Sequence, residues 1–366
     1  MFSGISIRVR RIQTIANLST LQAPSLTSFL TDSCGLSPAA AAVAASKVTF
    51  ISKSQKVTAK RNPVSVLTFF ESHGLTPSQI AKLFSTHPRF LLSNPARTFQ
   101  PKIDFYLAAG FSPSTLTKLI SADAYILLVS LNNRIIPCFD FLKAILHTNE
   151  DVVAAVKRST WMLRVDLKNK MAPNIETLRS IGVPIVCIAK LVKIYPSALM
   201  QSSSRFGESV ERVLQIGLNP SDAMFIRALN SLSTISVATL ERKLEIYKNF
   251  GLSEDKILSC LKINPMIINL SEENIRKKFR FYMEKLIWKP EFVFSSPVLL
   301  MLSLEKRIAP RFSVYEILVF KNLLKEKSIV PRYFFLNEEE FFRRYLIRFL
   351  EECPEILEAY KGKRGH

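Results

Sequence analysis

Lysine and arginine side chains recur at about the same position of a sequence repeat of about 35 residues, and this set of bases is the main candidate for a functional site. Measured from a set of regularly spaced boundary positions, the bases lie 21 to 26 residues further along, once a four-residue deletion in the last repeat is allowed for. They are Arg97, Arg134, Lys168, Lys170, Arg205, Arg242, Lys243, Arg276, Lys277, Lys306 and Arg307. In stacked repeats, equivalent positions form one stripe, and a stripe of cations is suited to bind the phosphates of nucleic acid.

The alternative interpretation of this stripe is an ordinary solvated helix face, where lysine and arginine are common. A second set of bases, Lys82, Lys118 and Lys190, lies eight residues after three of the boundary positions and is weaker evidence of the same kind. Phosphate contacts set position and affinity but carry no base identity. We therefore assign no residue to the recognition of particular bases.

The remaining reactive side chains do not form a recognisable catalytic or metal site. The four histidines and five cysteines are scattered, without a CxxC pair or the spacing of a zinc site. His73 and His87 have no partnered serine, cysteine or carboxylate motif. Glu338, Glu339 and Glu340 form a charge run that is typical of a solvated helix start. We expect a binding protein that is not an enzyme and has no metal and no cofactor.

The composition favours a polyanionic partner. Lysine plus arginine outnumber aspartate plus glutamate by 50 to 30, which gives a formal net charge of +20. A charge this far from zero opposes self-association, so we expect a monomer. The longest apolar runs, residues 124–129 and 298–302, are far shorter than the roughly 18 residues of a membrane span, so we expect no membrane partner.

Glycines mark the elements that must position the bases. Eight boundary positions lie 34 to 39 residues apart, and two of them are occupied by residues other than glycine. They are Gly35, Gly74, Gly110, His147, Gly182, Gly217, Gly251 and Ile287. Sequences such as Gly74-Leu-Thr-Pro predict that one helix ends with a left-handed residue and that the next begins at a capped proline.

Each repeat is predicted to contain a short helix, a short apolar segment and a longer helix. Apolar residues six, nine and ten positions after the boundary form one face of the short helix. A proline ends that helix in three repeats, at Pro88, Pro196 and Pro265. Pro297 and Pro310 each come four residues early, which a single deletion explains. The pattern predicts an all-α helical-repeat solenoid of about eight units.

Several motifs resemble the mitochondrial transcription termination factor (mTERF) family. Residues 88–92 (PRFLL) are similar to its x-Pro-x-Leu-Leu signature, and residues 303–311 (SLEKRIAPR) to its closing motif. Residues 264–275 are similar to its later repeats, and residues 353–362 resemble the ending of the expanded plant branch. The chain departs from the family pattern at three positions: His147 replaces a boundary glycine, and Ala124 and Ser231 replace the proline of their repeats.

The resemblance covers roughly residues 33–331 and implies a left-handed, crescent-shaped array that binds nucleic acid along a basic concave path. It also implies a role in organellar gene expression. Double-stranded DNA, bound during transcription termination or regulation, is the favoured partner of the basic stripe. An RNA-binding factor for intron splicing or ribosome assembly is one alternative. A protein-interaction scaffold that binds no nucleic acid is the other.

Three regions are predicted along the chain. Residues 1–31 contain Arg8, Arg10 and Arg11, many serines and threonines and no acid, which is the composition of an organelle transit peptide. Mitochondrial import is favoured over chloroplast import because of the early arginines, and a disordered basic tail is the alternative. Residues 32–331 form the repeat array. Residues 332–366, with seven basic and seven acidic side chains, are predicted to form a C-terminal cap with an amphipathic helix over 341–350.

Overall fold

The computed structural model describes residues 23–54, 62–324 and 329–362, and these ranges contain helices and no strand. The predicted all-α class is confirmed. The chain divides into two compact units. The first unit comprises the chain up to Ala172 together with Ala189–Pro196. The second unit comprises Pro173–Ile188 and the chain from Ser197 onward. The handedness and the number of repeats remain predictions.

Three kinds of element alternate along both units. First helices follow a boundary position: Pro38–Ser54, Pro77–Thr86, Pro113–Ala122, Asn149–Arg158, Ile185–Ile194, Ala223–Ser233, Glu254–Ile263 and Pro290–Ser295. Turn segments, of 3₁₀ or single-turn α geometry, come next: Pro88–Leu92, Ala124–Leu127, Thr160–Arg164, Pro196–Met200, Pro265–Asn269 and Val298–Met301. Second helices end at a boundary: Ala23–Asp32, Pro63–Ser72, Pro95–Thr98 with Gln100–Ala108, Ile136–Leu146, Leu167–Ser180, Ser203–Gln215, Val237–Asn249, Glu272–Glu284 and Ala309–Phe320.

Every predicted boundary position has a left-handed backbone, including His147 (φ 68°) and Ile287 (φ 55°). The residue after the boundary donates its N–H back into the helix that has ended, as Leu75 does to the carbonyl of Phe70 at 3.1 Å. This is the Schellman arrangement, and the donating residue is apolar at every predicted boundary except His147, where the exposed Thr148 donates to the carbonyl of Leu146 instead. A further left-handed residue, Asn322 (φ 60°), lies 35 residues after Ile287 and was missed by the sequence analysis.

The predicted prolines end the first helices. Pro88, Pro196 and Pro265 each begin a 3₁₀ turn segment, because proline has no N–H with which to continue the helix. Ala124 begins a turn segment without proline. In the repeat that begins at Gly217, by contrast, the first helix continues past Ser231 and no turn segment follows it. Proline therefore accompanies the break in three repeats, and its absence has different results in these two repeats.

The four-residue deletion predicted for the last repeat lies in its first helix. Pro290–Ser295 has six residues, whereas Pro77–Thr86 and Glu254–Ile263 each have ten. An α-helix has about 3.6 residues per turn. The deletion therefore removes about one helical turn and leaves the elements on either side in place.

Two second helices open with a turn of π-helix. These turns are Leu131–Ile135 and Leu304–Ile308, and the prolines Pro137 and Pro310 follow shortly after them. In a regular α-helix, a proline ring collides with the carbonyl four residues earlier. The extra residue in a π turn moves that carbonyl, so proline is accommodated close to the helix start.

The C-terminal region differs from the predicted cap. The expected amphipathic helix over 341–350 is wrong in detail, because the chain there changes from α to π to 3₁₀ geometry. The C-terminal elements are Pro331–Phe335, Glu338–Phe341, Phe342–Leu346, Ile347–Phe349 and Glu355–Gly362. At the other end, residues 1–22 of the predicted transit peptide lie outside the described residues. Leu26, Phe29 and Leu30, within the same predicted peptide, are buried.

No single helix of the described ranges is long and apolar enough to cross a membrane. Ala223–Ser233 and Val237–Asn249 meet that criterion only when taken together, and they are bent by 111°.

Candidate nucleic-acid interface

Within each unit, the N-termini of consecutive second helices lie next to one another. In the first unit, a groove of about 700 Å³ is lined by Asn62 and Ser65 from one such N-terminus and by Asn94 from the next. In the second unit, a groove of about 520 Å³ joins Ser202 to Ser236 in the same way. Each unit therefore presents a row of helix N-termini, which we call its N-terminal row.

Polar side chains cap the helices of both rows. The Asn94 side chain accepts from the N–H of Arg97 at 3.2 Å, and the Ser303 hydroxyl accepts from the N–H of Lys306 at 3.1 Å. The same arrangement recurs at Asn62, Ser130, Asp166, Ser236 and Ser271, and Asn337 caps the C-terminal segment Glu338–Phe341 in the same way. Each cap satisfies one or two of the four free N–H groups at a helix start. The remaining N–H groups and the helix dipole favour an anion.

The structure places the predicted bases in the first turns of these second helices. Most of them are exposed: Arg97, Lys168, Lys170, Arg205, Arg242, Arg276, Lys277 and Lys306. Arg134 and Arg307 are half-buried. The first unit holds Arg97 to Lys170 of this set and the second unit holds the others. In each unit the bases share an edge with the helix N-termini, which is the geometry that phosphate binding requires.

Some of these bases contact the N-terminus of the next second helix. Arg134 Nη1 lies 3.7 Å from a carboxylate oxygen of Asp166, and Arg242 Nε donates to Glu272 at 3.1 Å. Arg307 donates to the carbonyl of Leu336 at 2.8 Å. These contacts show that bases of consecutive repeats lie side by side within a unit. They also mean that these three cations have internal partners with which a phosphate would compete.

Lys277 is paired within its own helix. Its ammonium lies 2.6 Å from the carboxylate of Glu273, four residues earlier. The hydrogen bond and the opposite charge raise the pKa of Lys277 and lower the pKa of Glu273. Both side chains are exposed, so water and salt weaken this pair and leave the lysine available.

Lys243 is a correction to the predicted site. Its side chain is buried, and its ammonium donates to the carbonyl of Ile268 at 2.7 Å. Burial lowers the pKa of Lys243, while the charge of Glu272 opposes this change. An ammonium held in the core cannot reach a phosphate, so Lys243 leaves the set of candidate contacts.

Lys243 belongs to a group of buried donors that connect one repeat to the next. Each lies on a second helix and donates to carbonyls at the end of the following turn segment or its equivalent. The pairs are Lys102 with Leu127, Asn174 with Leu199, Lys243 with Ile268, Lys278 with Leu300, and Arg311 with Leu336. In four of them a tyrosine follows four residues later, namely Tyr106, Tyr247, Tyr282 and Tyr315. The four-residue spacing between the donor and the tyrosine is a signal in the sequence that identifies the buried donors.

The second set of bases and the acidic run are placed differently from the N-terminal rows. Lys82, Lys118 and Lys190 are exposed on first helices. Glu338 is not only a solvated helix start, because its carboxylate accepts from the buried Arg311 at 3.2 Å. Within the described ranges, no cluster of three or more His, Cys, Asp or Glu side chains could hold a metal ion.

Comparison with known proteins agrees with the repeat pattern. The model of the mTERF family matches residues 67–194 and 186–342. No curated protein sequence matches the chain. Proteins of this family are in general nucleic-acid-binding regulators of gene expression in mitochondria or chloroplasts.

Proposed function

Since the chain belongs to the mTERF family, we propose that it regulates organellar transcription by binding double-stranded DNA through its N-terminal rows. The bound protein blocks or positions other components of gene expression and acts stoichiometrically. It does so as a monomer, without catalysis, metal or cofactor. Transcription termination is the favoured outcome. Membership of the plant branch remains a prediction.

One observation carries this proposal, namely the coincidence of exposed bases and helix N-termini on a shared edge of each unit. Arg205, Arg276 and Lys306 illustrate it, because each lies in the first turns of a second helix and is exposed. Within the described part of the chain, these three side chains make no ion pair or hydrogen bond. Phosphates lie on the outside of a duplex, so a row of cations can bind them without opening the base pairs.

An organelle is the proposed site of action. The arginine-rich, acid-free composition of residues 1–31 supports import, and the family acts in organelles. We favour the mitochondrion over the chloroplast because three arginines lie within the first eleven residues.

The experiment compares two triple charge reversals in the full chain. The test variant is Arg205→Glu, Arg276→Glu and Lys306→Glu, in the N-terminal row of the second unit. The control is Arg227→Glu, Lys256→Glu and Lys289→Glu, which changes the net charge equally at exposed sites outside that row. Fluorescence anisotropy with duplex DNA should show a loss of about tenfold or more for the test variant. The control should lose much less.

Competition with single-stranded RNA separates the proposal from its alternatives. Displacement of duplex DNA only by a large excess of RNA supports a DNA regulator. Preferential binding of RNA favours a splicing or ribosome-assembly factor. Failure of the wild-type chain to bind either nucleic acid leaves the protein scaffold, and an equal effect of the two triple variants contradicts the N-terminal row as the binding site.

A further inference from the structure

A second surface of the first unit carries exposed aromatic and basic side chains at a repeated position. The second residue of each turn segment there is Arg89, Tyr125 or Trp161, at intervals of 36 residues. Arg89 and Tyr125 are exposed and Trp161 is half-buried. In the second unit the equivalent position of the repeat, which directly follows Pro196, Pro265 and Pro297, holds Ser197, Met266 and Val298. The aromatic and cationic character is therefore specific to the first unit.

Arg89 and Tyr125 form a continuous group with neighbouring side chains. The rings of His87 and Tyr125 have centroids 6.4 Å apart. The guanidinium carbon of Arg164 lies 5.8 Å from the centre of the Tyr125 ring. On the other side, Phe50, which is 75% exposed, lines an open groove of about 600 Å³ together with His87, Arg89 and Tyr125. We call Phe50, His87, Arg89, Tyr125 and Arg164 the aromatic row.

The charge around the aromatic row is positive. Lys47 and Arg89 border the groove and are exposed. The negative charge of the nearby Asp123 carboxylate is balanced by the positive charge of Arg164, which lies 3.4 Å from it. The Thr160 hydroxyl also donates to this carboxylate at 3.1 Å. The aromatic groove and its positively charged rim therefore suit an anionic ligand that carries flat apolar groups.

Single-stranded nucleic acid has this chemistry. Unpaired bases stack on exposed aromatic rings, and the phosphates between them bind lysine and arginine. The bases of a duplex are stacked on each other and their faces are not accessible to such rings. The groove therefore does not duplicate the role of the N-terminal rows, which offer cations and helix N-termini but no comparable set of exposed rings within the residues described above.

We propose that the aromatic row binds unpaired bases of a single strand, with Phe50 and Tyr125 as the stacking surfaces. The inference rests on the proposed function in one respect, namely that the protein binds nucleic acid. It adds a second surface and a second ligand form, so one molecule can hold a duplex and an unpaired strand, such as a transcript or a melted DNA strand.

The experiment uses the full chain and four ligands in fluorescence anisotropy. Two are single strands of RNA and of DNA, one is an abasic strand of the same length, and one is duplex DNA. The variant Phe50→Ala with Tyr125→Ala should bind base-bearing single strands about tenfold or more weakly. Its affinity for the abasic strand and for the duplex should stay within about twofold. Phe320→Ala, which removes an 87% exposed ring from the second unit, is the matched control and should bind every ligand as wild type does.

Rescue and unfolding measurements exclude a trivial loss of structure. Tyr125→Phe keeps the ring and should bind as wild type does, and the double variant should have an unchanged melting temperature. Unchanged single-strand affinity in the double variant, or an equal loss on abasic and base-bearing strands, overturns this inference. If duplex binding persists in that case, the proposed function stands. If the wild-type chain binds no nucleic acid, both fail.

Discussion

At the scale of the residue, two adjacent cations have opposite surroundings. Arg242 is exposed and pairs with Glu272, whereas Lys243 is buried and bonded to a backbone carbonyl. Consecutive residues of an α-helix point about 100° apart, so a window of six positions cannot show which base faces solvent. The sequence predicts the window, and the helix phase decides the individual residue. The tyrosine four residues after Lys243 indicates the buried face.

Single alanine variants of this pair should therefore have different effects. Lys243→Ala leaves the carbonyl of Ile268 without its buried donor and should cost about 1–3 kcal/mol of unfolding free energy. Arg242→Ala should cost less than about 1 kcal/mol, but should make the salt dependence of duplex binding shallower by about 0.9. Urea unfolding and anisotropy titrations measure the two quantities. A stability loss for Arg242→Ala alone would contradict this assignment.

At the scale of the element, the sequence predicts the boundaries better than the segments between them. A left-handed helix end needs glycine or a tolerated substitute, and the regular spacing identifies even His147 and Ile287. Asn322 was missed because it follows the last repeat that the prolines define. Whether the helix continues or ends at Ser231 depends on packing, since a residue other than proline is compatible with both. The π turns were likewise not predicted.

Substitution of boundary residues should change stability in a direction set by the backbone. Ile287 is β-branched, 78% exposed and left-handed, so it carries strain without burying its side chain. Ile287→Gly should raise the unfolding free energy by about 0.5–1 kcal/mol.

The reverse change is the matched control. Gly182 is left-handed (φ 82°), and a Cβ there meets no atom within 4 Å. Gly182→Ala should therefore lower the unfolding free energy by about 1 kcal/mol through backbone strain alone. Urea unfolding measures both variants, and stabilisation by Gly182→Ala would disprove the strain argument.

At the scale of the whole molecule, the net charge of +20 is expected to act mainly through the release of counterions from nucleic acid. The array offers one group of bases per repeat from Gly74 onward, and about seven phosphate contacts give a slope of roughly −6 for log affinity against log salt on duplex DNA. Anisotropy titrations over a range of salt concentrations measure this slope. The test triple variant should have a slope shallower by about 3, and a slope near zero for the wild type would contradict an electrostatic mechanism.

Sequence periodicity anticipated much of the candidate site at this scale because one repeated offset becomes one edge of a stacked unit. The helix caps beside the bases were not recognised, although the helix-start positions recur at intervals of 32 to 36 residues from Asn62 to Asn337 once Ser202, whose side chain makes no capping hydrogen bond, is included. The aromatic row was not anticipated either. Its members come from a first helix, a helix end and several turn segments, and only the folded chain brings them together.

The buried donors also explain how such a protein can change length during evolution. Lys243 reaches a carbonyl 25 residues further along, and Lys278 makes the equivalent bond over 22 residues in the repeat that lost part of its first helix. Loss of one complete helical turn returns the chain to almost the same rotational phase. Natural insertions and deletions in these first helices should therefore occur in steps of three or four residues. Steps of one or two would rotate the next turn segment away from its donor and be selected against.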